Sequence, residues 1–203
     1  MKNHFLKAFT LIALVLLVST VPFSGFSQKL SVTNDSLPTA LLLVDIQDFY
    51  FPGGQLPLVN PEAASENAAR VLELFRSLKL PVIHVQHEGG SPIRSNVAPV
   101  QGEKLITKKE ANSFNGTDLL TYLRALKIRR LVLCGMQTHM CLEAATRAAY
   151  DYGFSCIVVG DACATRALKW GDLTVSAADV QACTLASLER FYAKVVNTAD
   201  LQP

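Results

Sequence analysis

The strongest constraint on the fold is an alternation between short, unbroken apolar runs and segments whose apolar residues recur at helical spacing. Apolar runs of this kind are typical of strands that are buried on both faces of a parallel sheet. We predict six strands, at residues 39–44, 82–85, 105–107, 131–133, 156–159 and 194–197. The spacing of the apolar residues between them predicts helices at about residues 61–78, 117–126, 141–152 and 176–188.

This alternation predicts an α/β fold, with a three-layer αβα architecture around a doubly wound, mostly parallel six-stranded sheet of Rossmann-like type. Right-handed crossovers place helices on both faces of such a sheet. Ligands bind beyond the carboxyl ends of the strands, near the point where the strand order reverses. The residues that directly follow each strand are therefore the first candidates for a functional site.

Composition narrows the class of function further. Half of the 203 residues are apolar, which is enough for a buried core, and the length suits one domain. The 19 basic and 17 acidic residues form no strongly basic segment, so the pattern argues against a nucleic-acid partner. The sequence also lacks the GxGxxG, GxxxxGK(S/T), GxSxG and HExxH motifs, and with them the signatures of four common enzyme classes.

Residues 1–27 have the layout of a secretory signal peptide. Lys2 and Lys7 form a positive start, residues 8–18 are almost wholly apolar, and small residues lead to a predicted cut after Ser27. The alternative is an uncleaved membrane anchor, because the apolar stretch just reaches the length of a span. Cleavage predicts an exported protein, periplasmic or secreted, with no membrane partner after the cut.

The chain that follows the predicted cut is expected to be neutral. Residues 28–38 are polar and are predicted to form a flexible lead-in to a single domain at residues 39–203. Because the removed segment holds two Lys and no acid, 17 basic and 17 acidic residues remain, which argues against a polyanionic partner. Export makes disulfides possible, but five Cys leave at least one thiol free, and pairing of Cys156 with Cys163 stays open.

Reactive side chains follow three of the predicted strands. Asp45 follows the first strand, the Lys108–Lys109 pair follows the third, and Cys141 begins a predicted helix after the fourth. The positive end of a helix favours the thiolate form of a Cys. Each residue alone is explained as well by a structural role, but together at one sheet edge they provide a base, a cation and a nucleophile.

Three segments resemble the motifs of the isochorismatase-like cysteine hydrolases, a superfamily that includes nicotinamidase and N-carbamoylsarcosine amidohydrolase. The first is LLLVDIQDFY at residues 41–50, the second is ITKKEANSFNGTDL at 106–119, and the third is GMQTHMCLEAATRAAYDYGF at 135–154. Their order and spacing extend the resemblance from about residue 40 to about residue 198.

The resemblance implies a catalytic triad of Asp45, Lys108 and Cys141. Lys108 is chosen over Lys109 because the family places its lysine six residues before a Phe, which is Phe114 here. On a strand, Lys109 would face the opposite way. The triad therefore assigns a base, a cation and a nucleophile to residues that lie far apart in the sequence.

The resemblance also implies an unusual backbone geometry just before the nucleophile. The family has a cis peptide bond that corresponds to Met136–Gln137, and it aims the backbone N–H groups of Gln137 and Cys141 at one point as an oxyanion hole. His139, two residues before the nucleophile, is interpreted as a surface or supporting residue. The residues expected to contact the substrate, on weaker grounds, are Gln47, Phe49, Phe114 and Trp170.

The reaction implied by the resemblance is hydrolysis of a C–N bond in a small amide or ureido compound through a Cys thioester. It needs no cofactor, and the family also implies a homo-oligomer. Metal-dependent nicotinamidases use a D-x-H motif that is absent from VIHVQHEGGSPIR at residues 82–94, so no metal ion is expected. Two alternatives stay open: a vinyl-ether hydrolase of isochorismatase type, which does not depend on a thiol, and a non-catalytic binding protein that retains the fold.

Overall fold

The computed structural model describes residues 29–33 and 37–203, and the predicted signal peptide at residues 1–27 lies outside them. Its helices are α1 (Pro61–Ser77), α2 (Leu119–Ala125), α3 (Glu143–Asp151) and α4 (Ala177–Leu188). Its strands are β1 (Leu30–Ser31), β2 (Thr39–Val44), β3 (Val82–His87), β4 (Lys104–Lys108), β5 (Arg130–Met136), β6 (Ser155–Ala164), β7 (Leu168–Trp170), β8 (Leu173–Val175), β9 (Lys194–Val196) and β10 (Leu201–Gln202).

The central sheet has six strands in the order β4-β3-β2-β5-β6-β9, and every neighbouring pair in it is parallel. The strand order reverses between β2 and β5, so the polypeptide leaves the two middle strands in opposite directions across the sheet. This arrangement confirms the predicted α/β fold. The reversal also identifies the carboxyl ends of β2 and β5 as the place where a ligand site is expected.

The core is built around the two middle strands and the helices packed on them. All six residues of β2 and all seven of β5 are buried, as the unbroken apolar runs predict. Helix α1 packs on β6 and β2 through a buried face that includes Val71, Leu72 and Phe75, and α3 packs on β6 and α4. Within the described part of the chain, no helix combines the length and the apolar character needed to cross a membrane.

Helix boundaries follow local sequence signals closely. Helix α1 starts at Pro61, whose fixed φ and missing N–H suit the first helical position. Helix α3 is followed by Gly153 at φ 88°, a left-handed conformation that Gly adopts without a steric penalty. Helix α4 is preceded by Ser176, whose hydroxyl accepts a hydrogen bond from the backbone N–H of Asp179.

The structure differs from the sequence-based prediction at both ends of the chain and in the connection after β6. The lead-in predicted as flexible includes the two-residue strand β1, which pairs in parallel with β10 near the C-terminus. The fifth strand was predicted to end at Gly160, but β6 continues to Ala164. The small antiparallel hairpin of β7 and β8 was not predicted, because its segments are three residues long and carry no apolar run.

Candidate active site

Three strand ends bring Asp45, Lys108 and Cys141 together at the carboxyl edge of the sheet. Asp45 directly follows β2, Lys108 is the last residue of β4, and Cys141 follows β5. The Lys108 Nζ lies 2.7 Å from Asp45 Oδ2 and donates a hydrogen bond to Cys141 Sγ at 3.3 Å. Neither the Asp45 nor the Lys108 side chain is exposed to solvent, so the charged groups interact without water between them.

The structure distinguishes the two neighbouring lysines. The side chain of Lys109 is 77% exposed and pairs on the surface with Glu88 at 3.2 Å. Alternation along β4 sends consecutive side chains to opposite faces, so only Lys108 faces the interior. The cation of the cluster is therefore Lys108.

Cys141 lies in a π-helical turn, Thr138–Leu142, and not in the first turn of the following α-helix as the sequence predicted. Helix α3 begins two residues later, at Glu143. Burial, together with the negative charge of Asp45, raises the pKa of the Cys141 thiol to about 12, while Lys108 opposes the shift. Burial and Asp45 therefore disfavour the thiolate that the sequence predicted for Cys141.

The environment of Asp45 favours a proton acceptor. Burial raises the pKa of the Asp45 carboxyl, and Lys108 lowers it by charge attraction and hydrogen bonding. A buried carboxylate with a raised proton affinity, held next to a thiol, is the arrangement that a general base requires. The backbone of Asp45 has φ 50°, an uncommon conformation for a residue other than Gly, and this turn follows β2 without a break.

The peptide bond between Met136 and Gln137 is cis. It joins the end of β5 to the π-helical turn that carries Cys141. The Gln137 side chain is buried and links two other residues, since its Nε2 donates to the Tyr50 hydroxyl at 3.4 Å and its Oε1 accepts from Arg166 Nε at 3.1 Å. Gln137 therefore connects the turn before the nucleophile to the β2 and β6 ends of the sheet.

A cavity of about 260 Å³ opens onto this cluster. Cys141 is only 3% exposed, but it forms part of the cavity wall and is accessible from it. None of the lining residues is acidic, and Arg166 is a cation among them. The lining residues are Phe49, Tyr50, Leu56, His87, Ala111, Gln137, Met140, Cys141 and Arg166.

Of the four residues predicted to contact the substrate, Phe49 and Gln47 lie at the cavity or directly behind its wall. Phe49 lines the cavity. Gln47 is buried behind it, where its amide oxygen accepts a hydrogen bond from the His87 N–H at 2.8 Å and its amide nitrogen donates to Ser91 O at 2.6 Å. Gln47 therefore holds the end of β3 and the following loop in place.

The other two residues lie elsewhere. Phe114 is buried against the rings of Tyr152 and Phe154, with centroids 5.3 Å and 6.3 Å away, and it does not line the cavity. Trp170 is 84% exposed at the end of β7 and does not line it either. Phe114 was chosen for its place in the lysine motif and Trp170 as the single Trp, in the segment after Asp161, whereas a ring's position depends on the turns that precede it.

Sequence reasoning missed Arg166 and Tyr50. Arg166 follows the true end of β6 by two residues, so the strand-end rule identifies it once that strand is given its full length. Nearby, His139 Nδ1 lies 2.6 Å from the Thr165 hydroxyl, and burial lowers the pKa of His139 with help from the positive charge of Arg166. His139 thus has a supporting contact at the margin of the cavity.

The cysteines and histidines outside this cluster have structural surroundings. All five Cys of the described chain are free thiols, and Cys156 and Cys163 lie seven residues apart on the same strand, which prevents them from pairing. His84 is buried and contacts Glu103, whereas His87 lines the cavity next to Cys141. Within the described residues, no group of three His, Cys, Asp or Glu side chains could hold a metal ion.

A larger cavity, of about 560 Å³, lies between α1 and α4. Its lining includes Asn60, Asp161 and Gln181 but none of the three reactive side chains described above. The smaller cavity is therefore the candidate active site, because among the cavities of the described residues it is the one with Cys141 in its wall.

Comparisons with known proteins identify several relatives of this chain. A model of the isochorismatase domain matches residues 39–199. The uncharacterized isochorismatase family protein YddQ of Bacillus subtilis is 43% identical over 175 residues, covering 80% of this chain and 97% of YddQ. The crystal structure of an isochorismatase from Pseudomonas putida superposes with a TM-score of 0.78 at 33% identity, covering 81% of this chain and 90% of that one.

A further relative has a named activity. Maleamate amidohydrolase of Pseudomonas putida is 31% identical over 147 residues, which cover 59% of this chain and 69% of the enzyme. Its name describes hydrolysis of an amide in a compound that also carries an acid group.

Proposed function

This chain belongs to the isochorismatase family of hydrolases, and from that premise we propose that it is a cysteine hydrolase that cleaves the C–N bond of small amides. The observation that carries the proposal is the contact of Lys108 Nζ with both Asp45 Oδ2 and Cys141 Sγ, at 2.7 Å and 3.3 Å, next to a small cavity whose wall includes Cys141. A structural ion pair alone would not need a thiol as the third member.

The proposed reaction begins with transfer of the Cys141 proton to Asp45 while the sulfur attacks the amide carbonyl carbon. Because the pKa of the thiol is raised to about 12, the proton leaves during the attack and not before it. The oxygen of the tetrahedral intermediate receives hydrogen bonds from the backbone N–H groups of Gln137 and Cys141, which we assign as the oxyanion hole. Lys108 keeps Asp45 ionised until it accepts the proton.

The second half of the reaction reverses these roles. Protonated Asp45 delivers its proton to the leaving nitrogen, the C–N bond breaks, and a Cys141 thioester remains. Asp45 then takes a proton from an entering water molecule, whose oxygen attacks the thioester carbonyl carbon. The products are a carboxylic acid and ammonia or an amine, and Cys141 recovers its thiol proton.

The cavity restricts the substrates that this mechanism can use. A volume of about 260 Å³ lies below the usual range for drug-sized ligands, so the substrate has few heavy atoms. No acidic residue lines the cavity, and the guanidinium of Arg166 has no carboxylate partner among the described residues. These features favour a small amide that carries a negative charge.

Export and self-association are part of the same proposal. The layout of residues 1–27 supports export to the periplasm or the medium, and the family resemblance supports a homo-oligomer. Amino-terminal sequencing of protein from the producing cell should give Gln28 as the first residue. Light scattering on the purified protein should give a mass above that of one chain.

The test of the proposed chemistry is a panel of small amides assayed with matched Cys variants. We expect Cys141→Ala to abolish release of ammonia or amine, and Cys183→Ala, which alters the exposed Cys of α4, to retain the activity of the natural protein. Intact-protein mass spectrometry should detect an acyl adduct that is absent from Cys141→Ala. Turnover that survives Cys141→Ala but not Asp45→Asn would instead support the vinyl-ether type of hydrolysis.

A further inference from the structure

The candidate active-site cavity, which has Cys141 in its wall and is called the reaction cavity from here on, has a second cavity next to it. The two cavities share one lining residue. The second cavity has a volume of about 540 Å³ and lies between the turn at residues 52–55 and the loop at residues 89–94. Phe49 is the one residue that lines both cavities. The Phe49 side chain therefore stands between the small space next to Cys141 and a larger space beyond it.

The backbone of Phe49 is fixed on both sides. Its N–H donates a hydrogen bond to Ser91 Oγ at 2.6 Å, and its carbonyl oxygen accepts one from the Leu56 N–H at 2.9 Å. Gly54 packs so closely on it that a Cβ there would lie 2.4 Å from the Phe49 carbonyl oxygen. Removal of the ring would therefore leave the position of this backbone unchanged.

The ring of Phe49 is also held in place. Its centroid lies 3.9 Å from that of Tyr50, which lines the reaction cavity. On the side of the second cavity, a Cβ added to Gly90 would lie 3.1 Å from Phe49 Cε1, so only a Gly leaves room for the ring edge. The ring is thus packed between Tyr50, which lines the reaction cavity, and Gly90, which lines the second cavity.

We propose that the Phe49 side chain sets the upper limit of substrate length, by closing the reaction cavity against the second cavity. The inference rests on the proposed amide hydrolysis and adds a specificity-determining residue to it. Contacts link Arg166 to Phe49 through Gln137 and Tyr50, so two residues separate Phe49 from the cation along this chain of contacts. The natural substrate is then an amide whose nitrogen is unsubstituted or carries a very small group.

The lining of the second cavity indicates which longer substrates would enter if the ring were removed. It contains several Gly residues, Ser91 and Gln55, and the ion pair of Arg94 with Asp48 at 2.9 Å. Because both charges of that pair are already compensated, neither attracts a charged group strongly. An uncharged polar arm on the amide nitrogen, such as a hydroxyalkyl group, matches this lining better than a hydrocarbon arm does.

The experiment measures alkylation of Cys141, so it does not depend on knowing the substrate. The protein carries Cys183→Ser to remove its exposed thiol, and labelling of the Cys141 peptide by iodoacetamide or N-(2-hydroxyethyl)iodoacetamide is followed by mass spectrometry. The reaction forms an S–C bond to the reagent's methylene carbon and releases iodide and the thiol proton. The readout is the ratio of the rate for the longer reagent to the rate for the shorter one.

The variants are Phe49→Ala and, as a matched control, Leu56→Ala, which enlarges the reaction cavity but does not line the second one. We expect Phe49→Ala to raise the ratio about tenfold or more, because a pocket that accommodates the added heavy atoms binds the longer reagent more tightly. Leu56→Ala should leave the ratio near its original value. Phe49→Leu, which keeps an apolar side chain in the core, should give a smaller increase in the same direction.

The outcomes distinguish a failure of this inference from a failure of the proposed function. Equal ratios in Phe49→Ala, Leu56→Ala and the parent would overturn the role of Phe49 while leaving the cysteine mechanism intact. A Cys141 that resists iodoacetamide in the parent protein would overturn the proposed function and this inference together. If the rate of Cys141 alkylation by N-butyliodoacetamide rose as much in Phe49→Ala as the rate for the hydroxyethyl reagent, the assignment of a polar arm would be wrong.

Discussion

Gly135 in β5 and Val44 in β2 approach each other so closely that a Cβ on Gly135 would lie 2.0 Å from the Val44 carbonyl oxygen. The two residues are register partners at the carboxyl ends of the middle strands. Asp45 follows Val44 directly, and the cis bond before the Cys141 turn follows Gly135 by one residue. This contact therefore fixes the distance between the proposed base and the segment that carries the nucleophile.

The first prediction concerns this contact. Gly135→Ala should destabilise the fold by about 2–5 kcal/mol, because the methyl group would overlap the β2 backbone and Ala would be strained at φ 132°. Urea unfolding measures the loss. The matched control is Gly153→Ala, which carries the strain of φ 88° with nothing within 4 Å of its Cβ. Equal losses in the two variants would show that the β2–β5 contact has no special importance.

The second prediction separates Lys108 from Lys109. Lys108→Met leaves the Asp45 carboxyl buried without its cation, so its pKa rises further, it becomes protonated near neutral pH, and it no longer accepts the Cys141 proton. We expect loss of hydrolysis, slower alkylation of Cys141 and destabilisation of about 3 kcal/mol.

The control for this prediction is Lys109→Met, whose parent side chain is mostly exposed. It should retain activity and stability, because exposed ion pairs contribute little to folding. The double variant Asp45→Asn with Lys108→Met should be more stable than Lys108→Met alone and equally inactive. A Lys108→Met protein that still hydrolyses its substrate would remove Lys108 from the mechanism.

The fold and the reactive cluster were predictable because both depend on local patterns. An unbroken apolar run such as residues 39–44 fits only a strand with both faces buried, and strands of this kind, joined by helices, form a parallel sheet. Parallel strands end at a common edge, so side chains that follow different strands meet there. Asp45 and Cys141 follow the two middle strands and Lys108 ends β4, which is why residues far apart in sequence could be grouped, while the choice of Lys108 over Lys109 came from the family resemblance.

The cavity wall was less predictable because it depends on irregular backbone. A register shift between Leu133 and Gly135 lets β6 continue past Gly160, and no sequence pattern announces it. The strand-end rule was therefore applied at the wrong residue and missed Arg166. The pKa of Cys141 was mispredicted for a related reason: burial and the charge of Asp45 raise it, and neither influence is visible in the sequence.

The third prediction concerns acid stability. The carboxylate of Glu103 contacts Arg76 at 2.7 Å and His84 at 2.8 Å. Burial raises the pKa of Glu103, but the hydrogen bonds from Arg76, the Val100 N–H and His84 outweigh burial and lower it from 4.5 to about 2. The unfolded chain binds the proton more readily, so the stabilisation is complete above pH 4.5 and is lost as the pH falls from there toward 2. The contribution is about 3 kcal/mol. Burial lowers the pKa of His84, which adds a loss in the same direction below pH 6.5.

Unfolding free energies measured between pH 7 and pH 3 test this assignment. Glu103→Gln should be less stable than the parent at pH 7 and should lose less stability on acidification. Glu88→Gln, which alters an exposed carboxylate paired with Lys109, should follow the parent profile. Parallel profiles for Glu103→Gln and the parent would show that another group controls the acid response.

The last prediction concerns the charge of the substrate. Arg166 Nε is bound to Gln137 Oε1, which orients the guanidinium in the wall of a cavity that has no acidic lining residue. An anion that enters the cavity should therefore be attracted to it, and iodoacetate and iodoacetamide provide a charged and a neutral reagent of similar size. Arg166→Gln should lower the ratio of Cys141 alkylation by iodoacetate to that by iodoacetamide about tenfold, because a hydrogen bond to a charged group is lost.

Arg94→Gln, whose parent side chain already pairs with Asp48 outside the reaction cavity, should leave the ratio unchanged. An equal fall in both alkylation rates in Arg166→Gln would mean that Arg166 supports the structure of the cavity and does not select for charge.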